Sequence, residues 1–241
     1  MKHPIYRRNV HQRGFSLVEL MIVVVVMVVV TGVILSQLDL AAQRISSEQV
    51  KVDNFDEARD FVDQFFRDIN QIGYPNAHIV NFTPTISDSR VAVGLVKISA
   101  TSIGFEGDIN GSGVVQSVQY TINGSGTCPL CLQRSATPKI TGSPTTGQSL
   151  PDWGTEVNDL TTTTIFTYFD TNGVQILAAS LPADIVNNPA VIASVKTIHI
   201  SLTIQNNAVV DPKTHQPIQT SFEGEVSLNN CSMAAGGGMT C

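Results

Sequence analysis

The first residue that could do chemistry is a carboxylate inside a long apolar run. Residues 15–35 read FSLVELMIVVVVMVVVTGVIL, and Glu19 is the only ionisable side chain among them. An acid at membrane depth is costly and is normally paired with a cationic group. The position of Glu19 therefore predicts that it pairs with a cationic group within the apolar surroundings.

The four cysteines form two pairs that are close in sequence, Cys128 with Cys131 and Cys231 with Cys241. An even count is typical of disulfides in an oxidising compartment. Three connectivities are possible, and proximity favours Cys128–Cys131 and Cys231–Cys241. The spacing of the first pair also matches a thioredoxin-like redox centre, but that chemistry needs a helix N-terminus in a βαβ setting. The Gly- and Ser-rich surroundings favour a structural disulfide, and a zinc site would require both pairs to converge.

A third candidate is the segment DINGSG at residues 108–113. Asp108, Asn110 and Ser112 offer oxygen atoms at alternate positions, as a calcium loop does. The closing carboxylate of such a loop is missing, because Gln119 stands at the twelfth position. A tight turn without a metal is therefore favoured over a calcium site.

The sequence contains no recognisable catalytic arrangement. The histidines are scattered, and none has a Ser or Cys at a spacing typical of nucleophilic catalysis. They are His3, His11, His78, His199 and His215. We expect no enzymatic activity and no cofactor.

The charge is unevenly distributed along the chain. Residues 1–14 hold four basic and no acidic side chains, which leaves ten basic against twenty acidic side chains in the rest of the 241-residue chain. Phosphate contacts need Lys and Arg, so we expect no nucleic-acid partner for this acidic body.

Residues 15–35 are long enough to cross a bilayer, because about 20 apolar residues span the hydrocarbon core as a helix. The basic leader predicts a cytoplasmic N-terminus and an external body. A secretory signal would have a shorter apolar core followed by a small-residue cleavage site. Here Gly14 precedes the run, so a cut at Gly14 would leave the membrane helix on the mature protein. A plain signal anchor is the alternative.

An amphipathic helix is predicted to continue over residues 37–74, because apolar side chains recur there at spacings of three, four and seven. Gly73 and Pro75 are expected to end the helix, and Gly32 is expected to allow a local bend or melt. The charged side chains of the other face are expected to be solvated. They are Asp56, Glu57, Arg59, Asp60, Asp63, Arg67 and Asp68.

Short β-prone runs separated by Gly, Asn, Pro and Ser follow Pro75, and Asn172-Gly173 is a hairpin signal. The predicted strands are Val91–Ile98, Ser102–Phe105, Val114–Ile122, Leu130–Arg134, Thr163–Asp170, Val174–Ala178, Val195–Ile204 and Thr220–Leu228. The expected fold class is α+β, with a long N-terminal α-helix packed on a mainly antiparallel β-sheet domain.

The segment RGFSLVEL at residues 13–20 resembles the processing motif of type IV prepilins and pseudopilins. The resemblance implies that a membrane aspartyl protease, the prepilin peptidase, cuts between Gly14 and Phe15 and N-methylates Phe15. The new terminus is an amine with an ordinary pKa near ~8, four residues before Glu19. In a filament, the resemblance implies that Glu19 meets the terminus of a neighbouring subunit and sets the register between subunits.

The body resembles the PilW-like minor pilins and, more loosely, the GspJ-type pseudopilins. The resemblance is carried by short segments in a common order: DINQIGYP at 68–75, GDING at 107–111, QY at 119–120, LQR at 132–134, FTYFD at 166–170 and VSLNN at 226–230.

Four parts of the chain follow from the resemblance and the patterns above. They are a cleaved basic leader (1–14), a transmembrane and filament-core helix (15–36), an amphipathic helix (37–74) and an extracytoplasmic β-sheet domain (75–241).

The function expected is that of a minor type IV pilin in pilus assembly or initiation. The partners implied are other pilins and minor pilins, the prepilin peptidase, the inner-membrane assembly platform, and the lipid bilayer before assembly. The chain is expected in the inner membrane with a single pass and a periplasmic body, and then on the pilus at the cell surface. A type II secretion pseudopilin, a membrane-anchored adhesin or ligand-binding module, and a thiol oxidoreductase using Cys128 are the alternatives.

Overall fold

The computed structural model describes residues 16–75, 85–123, 130–144, 147–228, 232–233 and 239–240. The chain divides into two compact units, Met1–Ser46 and Ser47–Cys241. One helix, α1 (Leu17–Asn70, 54 residues), contributes residues to both units.

In the first unit, α1 exposes an almost entirely apolar surface. Every residue from 16 to 39 is exposed, and the helix is unbroken at Gly32. A glycine in a helix interior costs about 1 kcal/mol relative to alanine, and α1 continues through Gly32 despite this cost. The melting predicted at Gly32 is therefore wrong.

The end of α1 follows the predicted pattern. After Asn70, the amide of Gln71 donates to the Asp68 carbonyl at 3.0 Å, and that of Ile72 donates to the Ile69 carbonyl at 3.1 Å. Gly73 then adopts a positive φ of 75°, a conformation that glycine reaches without steric cost. The predicted helix stop at Gly73 is confirmed.

The second unit contains the strands and a short second helix, α2 (Pro189–Ser194). The strands are β1 (Leu95–Ile98), β2 (Ser102–Gly107), β3 (Gln116–Asn123), β4 (Cys131–Pro138), β5 (Gly154–Val157), β6 (Phe166–Asp170), β7 (Ala183–Asp184), β8 (Val195–Val210), β9 (Pro217–Ser227), β10 (Ser232–Met233) and β11 (Met239–Thr240).

These strands form antiparallel sheets. One sheet has six strands in the order β5-β4-β3-β2-β1-β7, another has three in the order β6-β8-β9, and β10 pairs with β11. Every strand pair in them is antiparallel. The predicted α+β class with a long N-terminal helix is confirmed, and the architecture is consistent with the pilin fold.

One predicted strand is wrong, and the turn before it is right. Gly173 has a φ of 75° and donates its amide to the Asp170 carbonyl at 3.0 Å. The following run, Val174–Ala178, makes a single bridge between Phe169 and Gln175 and then enters a 3₁₀ helix at Ala178–Ser180. The two alanines of that turn favour helical over extended backbone. The short strands β5, β7, β10 and β11 were not predicted.

The core of the second unit forms where α1 packs against both of the larger sheets. Its residues Ala58, Phe61, Val62, Phe65 and Ile69 are buried. The Phe65 ring contacts Tyr120 of β3 at a centroid distance of 5.3 Å and Phe166 of β6 at 5.7 Å. Aromatic pairs of this kind contribute about 0.5–1.5 kcal/mol beyond their buried area. One side chain thus links both sheets to the helix.

The chain leaving α1 is held against the end of β2 by backbone contacts. The Gly73 amide donates to the Glu106 carbonyl at 2.9 Å, and the Asp108 amide donates to the Tyr74 carbonyl at 2.7 Å. Between these bonds, Gly107 lies so close to the helix end that an added Cβ would be 2.3 Å from the Gln71 carbonyl oxygen. Only glycine fits at Gly107 without a backbone shift.

We expect Gly107→Ala to lower the free energy of unfolding by about 1–3 kcal/mol, the usual cost of forced overpacking. Gly104→Ala is the matched control in the same strand, because its Cβ would meet nothing nearer than 3.7 Å. Urea titration of the full chain in detergent micelles measures both. Equal stability of the two variants would contradict the close approach at Gly107.

Candidate functional site

The apolar part of α1 is the strongest functional feature of the described residues. By length and composition, α1 is the one helix in the described part of the chain that could cross a membrane, and none of its apolar window is buried. Its apolar side chains from Leu17 to Leu35 are between 49% and 75% exposed. An exposed apolar surface of this extent marks contact with lipid or with other protein.

Glu19 lies at the third position of α1, in its first turn, and is exposed. A carboxylate in the first turn interacts favourably with the helix dipole. Within the described residues, Glu19 has no ion-pair partner. Gly14 and Phe15, the predicted cleavage and methylation residues, lie outside the described residues. The helix therefore presents one acid at the start of an apolar surface, where it can pair with a cation from another chain.

A second arrangement fixes the other end of α1. The Asp68 carboxylate accepts a hydrogen bond from the Tyr120 hydroxyl at 2.7 Å and from Arg134 Nε at 2.9 Å. Its other oxygen accepts from Gln64 Nε2 at 2.7 Å. Arg134 Nε also lies 3.0 Å from the Tyr120 hydroxyl. The network joins α1, β3 and β4 through buried and partly buried bonds, and those to the Asp68 carboxylate are charge-assisted.

Two members of this network, Tyr120 and Arg134, have raised pKa values. Burial, together with the nearby Asp68 carboxylate, raises the pKa of Tyr120, so its hydroxyl stays a donor. Burial disfavours the charge of Arg134, but Tyr120 and Asp68 outweigh it and raise the pKa of the guanidinium. The arrangement is a structural cross-link in which Tyr120 and Arg134 both keep their protons.

The prediction of a solvated Asp68 was wrong. Asp68 is 1% exposed, and it lies one turn beyond Gln64 and next to Ile69 on the packed side of α1. An acid at spacings of three and seven from Phe65 and Phe61 falls within the apolar stripe, and that spacing was the available signal. Tyr120 and Arg134 lie in segments that carried the family resemblance, but nothing in the sequence showed that they meet Asp68.

A second buried ion pair was also missed. Lys139 Nζ lies 2.6 Å from Glu106 Oε2, and both side chains are fully buried. The ammonium also donates to the carbonyls of Ile86 and Val91, each at 2.9 Å. Burial raises the pKa of Glu106 and lowers that of Lys139. These bonds hold the segment 85–93 against the face of β2 on which the Glu106 side chain lies.

Cys131 is the one predicted disulfide residue within the described part of the chain. It is disulfide-bonded and buried at the start of β4. Cys128, Cys231 and Cys241 lie outside the described residues, so the predicted pairing stays a prediction. A strand start differs from the helix N-terminus that lowers the pKa of a thioredoxin-like cysteine.

The calcium candidate forms a turn whose carboxylate is already engaged. Asp108 Oδ1 accepts from the Ser112 amide at 3.0 Å, and Oδ2 accepts from the Gly113 amide at 2.8 Å. Asn110 Oδ1 also accepts from the Ser112 amide, at 3.1 Å. Among the described residues, no group of three or more His, Cys, Asp or Glu side chains could hold a metal ion. A cation at Asp108, Asn110 and Ser112 would compete with these amide donors.

Comparison with known families places one motif on this site. Residues 9–35 match the family described as "Prokaryotic N-terminal methylation motif". The match includes Gly14, Phe15 and Glu19, and the motif is of the prepilin type. It supports a type IV pilin-like protein, with a structural rather than an enzymatic role, anchored in a membrane by its apolar helix. No curated protein and no solved structure matches the chain.

We expect Arg134→Ala to lower the free energy of unfolding by about 3–5 kcal/mol, because it leaves Asp68 buried without its cation. Arg59→Ala is the matched control, since Arg59 pairs with Asp63 at 3.9 Å on the exposed face of α1, the helix that carries Asp68. The control should change stability by less than about 0.5 kcal/mol. Urea unfolding followed by circular dichroism distinguishes the two, and similar losses in both variants would argue against the buried network.

Proposed function

We propose that the chain is a PilW-like minor pilin that takes part in assembling or initiating a type IV pilus. The observation that carries this proposal is the exposed apolar surface of α1 with one acid, Glu19, in its first turn, directly within the methylation motif at 9–35. Before assembly, the helix lies in the inner membrane with a cytoplasmic N-terminus and a periplasmic body.

Processing creates the cation that Glu19 needs. In this proposal, the prepilin peptidase removes residues 1–14 and methylates the new amino group of Phe15. The unprocessed chain offers no amino group at the start of its apolar helix. Cleavage therefore converts a membrane anchor into a subunit with a positive terminus and a negative Glu19 one turn apart.

The ion pair gives assembly a driving force and a specificity that apolar contact alone does not supply. Lipid tails are about as apolar as Val and Leu, so moving α1 from lipid into a filament core gains little hydrophobic free energy. A carboxylate that meets the terminus of a neighbour adds a specific contact and fixes the axial spacing of subunits. The sheet domain then makes the contacts with other minor pilins and with the inner-membrane assembly platform.

We expect the mature chain to begin at N-methylated Phe15 when it is produced with an active prepilin peptidase. Gly14→Leu should remain uncut, because a branched side chain replaces the small residue before the cleaved bond. Gly32→Leu is the matched control, since an added Cβ at Gly32 meets nothing within 4 Å. Intact-mass spectrometry reports the product, and a wild-type chain that still begins at Met1 would refute the proposal.

We expect Glu19→Gln to be cut normally but incorporated into filaments roughly tenfold less, which corresponds to losing about 1–2 kcal/mol of polar interaction within the apolar core. Asp39→Asn is the control, because it removes an exposed carboxylate from the same helix beyond the apolar run.

The readout is immunogold labelling of surface filaments in a strain that lacks the native gene and carries each variant. Normal labelling with Glu19→Gln would remove the ion pair from the mechanism. If a deletion strain keeps its filaments but loses protein secretion, the result would assign the chain to a secretion pseudopilus and not to a pilus.

A further inference from the structure

The free edge of β9 is a surface that the proposed function does not use. β9 is the last strand of the three-stranded sheet and pairs with β8 from Asn206↔Ile218 to Thr197↔Ser227. On its other side, no strand of the described residues pairs with it. An unpaired edge presents backbone donors and acceptors that can template a further strand.

The register shows which groups face outward. The Leu228 amide donates to the Lys196 carbonyl at 2.8 Å, so even-numbered residues of β9 exchange their hydrogen bonds with β8. On the opposite side of β8, the Ser201 amide donates to the Ile165 carbonyl at 3.0 Å, in agreement with this alternation. The outward-directed backbone groups therefore belong to Gln219, Ser221, Glu223, Glu225 and Ser227.

The two faces of this edge differ in chemistry. The side chains of the outward-bonding residues are all exposed on the solvent face, and Glu223 and Glu225 are the charged ones. On the inner face, the Phe222 ring lies 5.8 Å from the ring of Phe55 in α1. Val52 and Phe55 remain 53% and 44% exposed beside the edge. A groove of about 470 Å³ runs there, lined by Lys51, Val52, Phe55, Gln219, Thr220 and Ser221.

A strand added at this edge would have a defined pattern. Its residues opposite Glu223 and Glu225 would lie on the solvent face, where opposite charges in directly facing pairs are favourable. Its intervening residues would project onto the inner face, above Val52 and Phe55, where apolar side chains would cover the groove.

A second copy of β9 fits this edge poorly. Antiparallel self-pairing centred on Gly224 places Glu223 opposite Glu225 twice, and like charges facing each other are destabilising. The alternation of Gln, Ser and Glu on the solvent face offers no cation in any other register.

We propose that the free edge of β9 accepts a β-strand from a different protein chain, with Lys or Arg at two alternate positions opposite Glu223 and Glu225 and apolar side chains between them. The added strand extends the three-stranded sheet and covers the groove beside α1. This partner contact goes beyond the proposed function. Binding at the β9 edge is tested separately from cleavage at Gly14, so either proposal can fail without the other.

The test uses the full chain in neutral detergent micelles and a fluorescent, end-capped peptide of sequence TVKVKVT. The control peptide is TVEVEVT. We expect the lysine peptide to bind about tenfold or more tightly than the glutamate peptide. It should also slow hydrogen exchange at the amides of Ser221, Glu223 and Glu225, measured by NMR.

Two pairs of variants locate the binding. The double substitution Glu223→Lys with Glu225→Lys should weaken binding of the lysine peptide about tenfold and reverse the preference between the two peptides. Its control is Asp60→Lys with Asp63→Lys, which changes the charge equally on an exposed part of α1. The control should leave binding of the lysine peptide within twofold. Ser221→Pro removes an outward amide while keeping the ladder to β8, and should abolish binding. Ser221→Ala keeps that amide and should bind normally.

Three results would overturn the proposal. They are equal binding of both peptides, a loss with the Asp60 and Asp63 substitutions as large as that with Glu223 and Glu225, and peptide-free dimers of the chain that Ser221→Pro dissociates. If Ser221→Pro does not fold by circular dichroism, the charge-reversal pairs alone decide.

Discussion

Water cannot stably solvate the surface that α1 presents between Leu17 and Leu35, and the surroundings that the helix and Glu19 require follow from that constraint. Its apolar side chains are all at least 49% exposed in the chain alone. Lipid or neighbouring apolar helices must cover them. Lipid covers the apolar side chains but leaves the Glu19 carboxylate without a partner, and an ionisable group within a spanning helix is costly unless it is paired. A neighbouring chain with a cationic terminus satisfies both needs.

The second unit meets a different requirement, which is to hold residues 47–70 of the helix against two sheets. Apolar packing around Phe65 attaches the helix to both sheets, but it is not directional. The orientation of the helix on the sheets is set by Asp68, whose carboxylate accepts hydrogen bonds from β3, from β4 and from its own helix. Glu106 and Lys139 act similarly on the far face of the six-stranded sheet. Replacing such pairs with apolar side chains often costs little, whereas breaking one partner costs much, so these pairs specify one packing arrangement.

How far the sequence predicted this structure depended on the range of each interaction. Glu19, the apolar run and the stop at Gly73 are local patterns, and each was visible in the sequence. Asp68 was misassigned to the solvated face because its partners lie 52 and 66 residues away. Gly107 gave no signal, since its constraint is a backbone oxygen of another element. The strand predicted at Val174–Ala178 was wrong because a short β-prone segment does not distinguish a strand from a turn that enters a 3₁₀ helix.

The helix and the sheet also differ in what they can recognise. A carboxylate at the start of an apolar helix fixes spacing, but it does not identify its neighbour, because every chain processed in the same way offers the same cation. Selection among such neighbours must come from surfaces that vary. The solvent face of the three-stranded sheet is mostly Thr, Ser and Gln, and its charges at the β9 edge are Glu223 and Glu225. Backbone pairing at that edge would supply affinity, and the two acids would decide which strand is accepted. In the proposed assembly, the apolar helix would bring a subunit into the filament, and the sheet edge would select its neighbours.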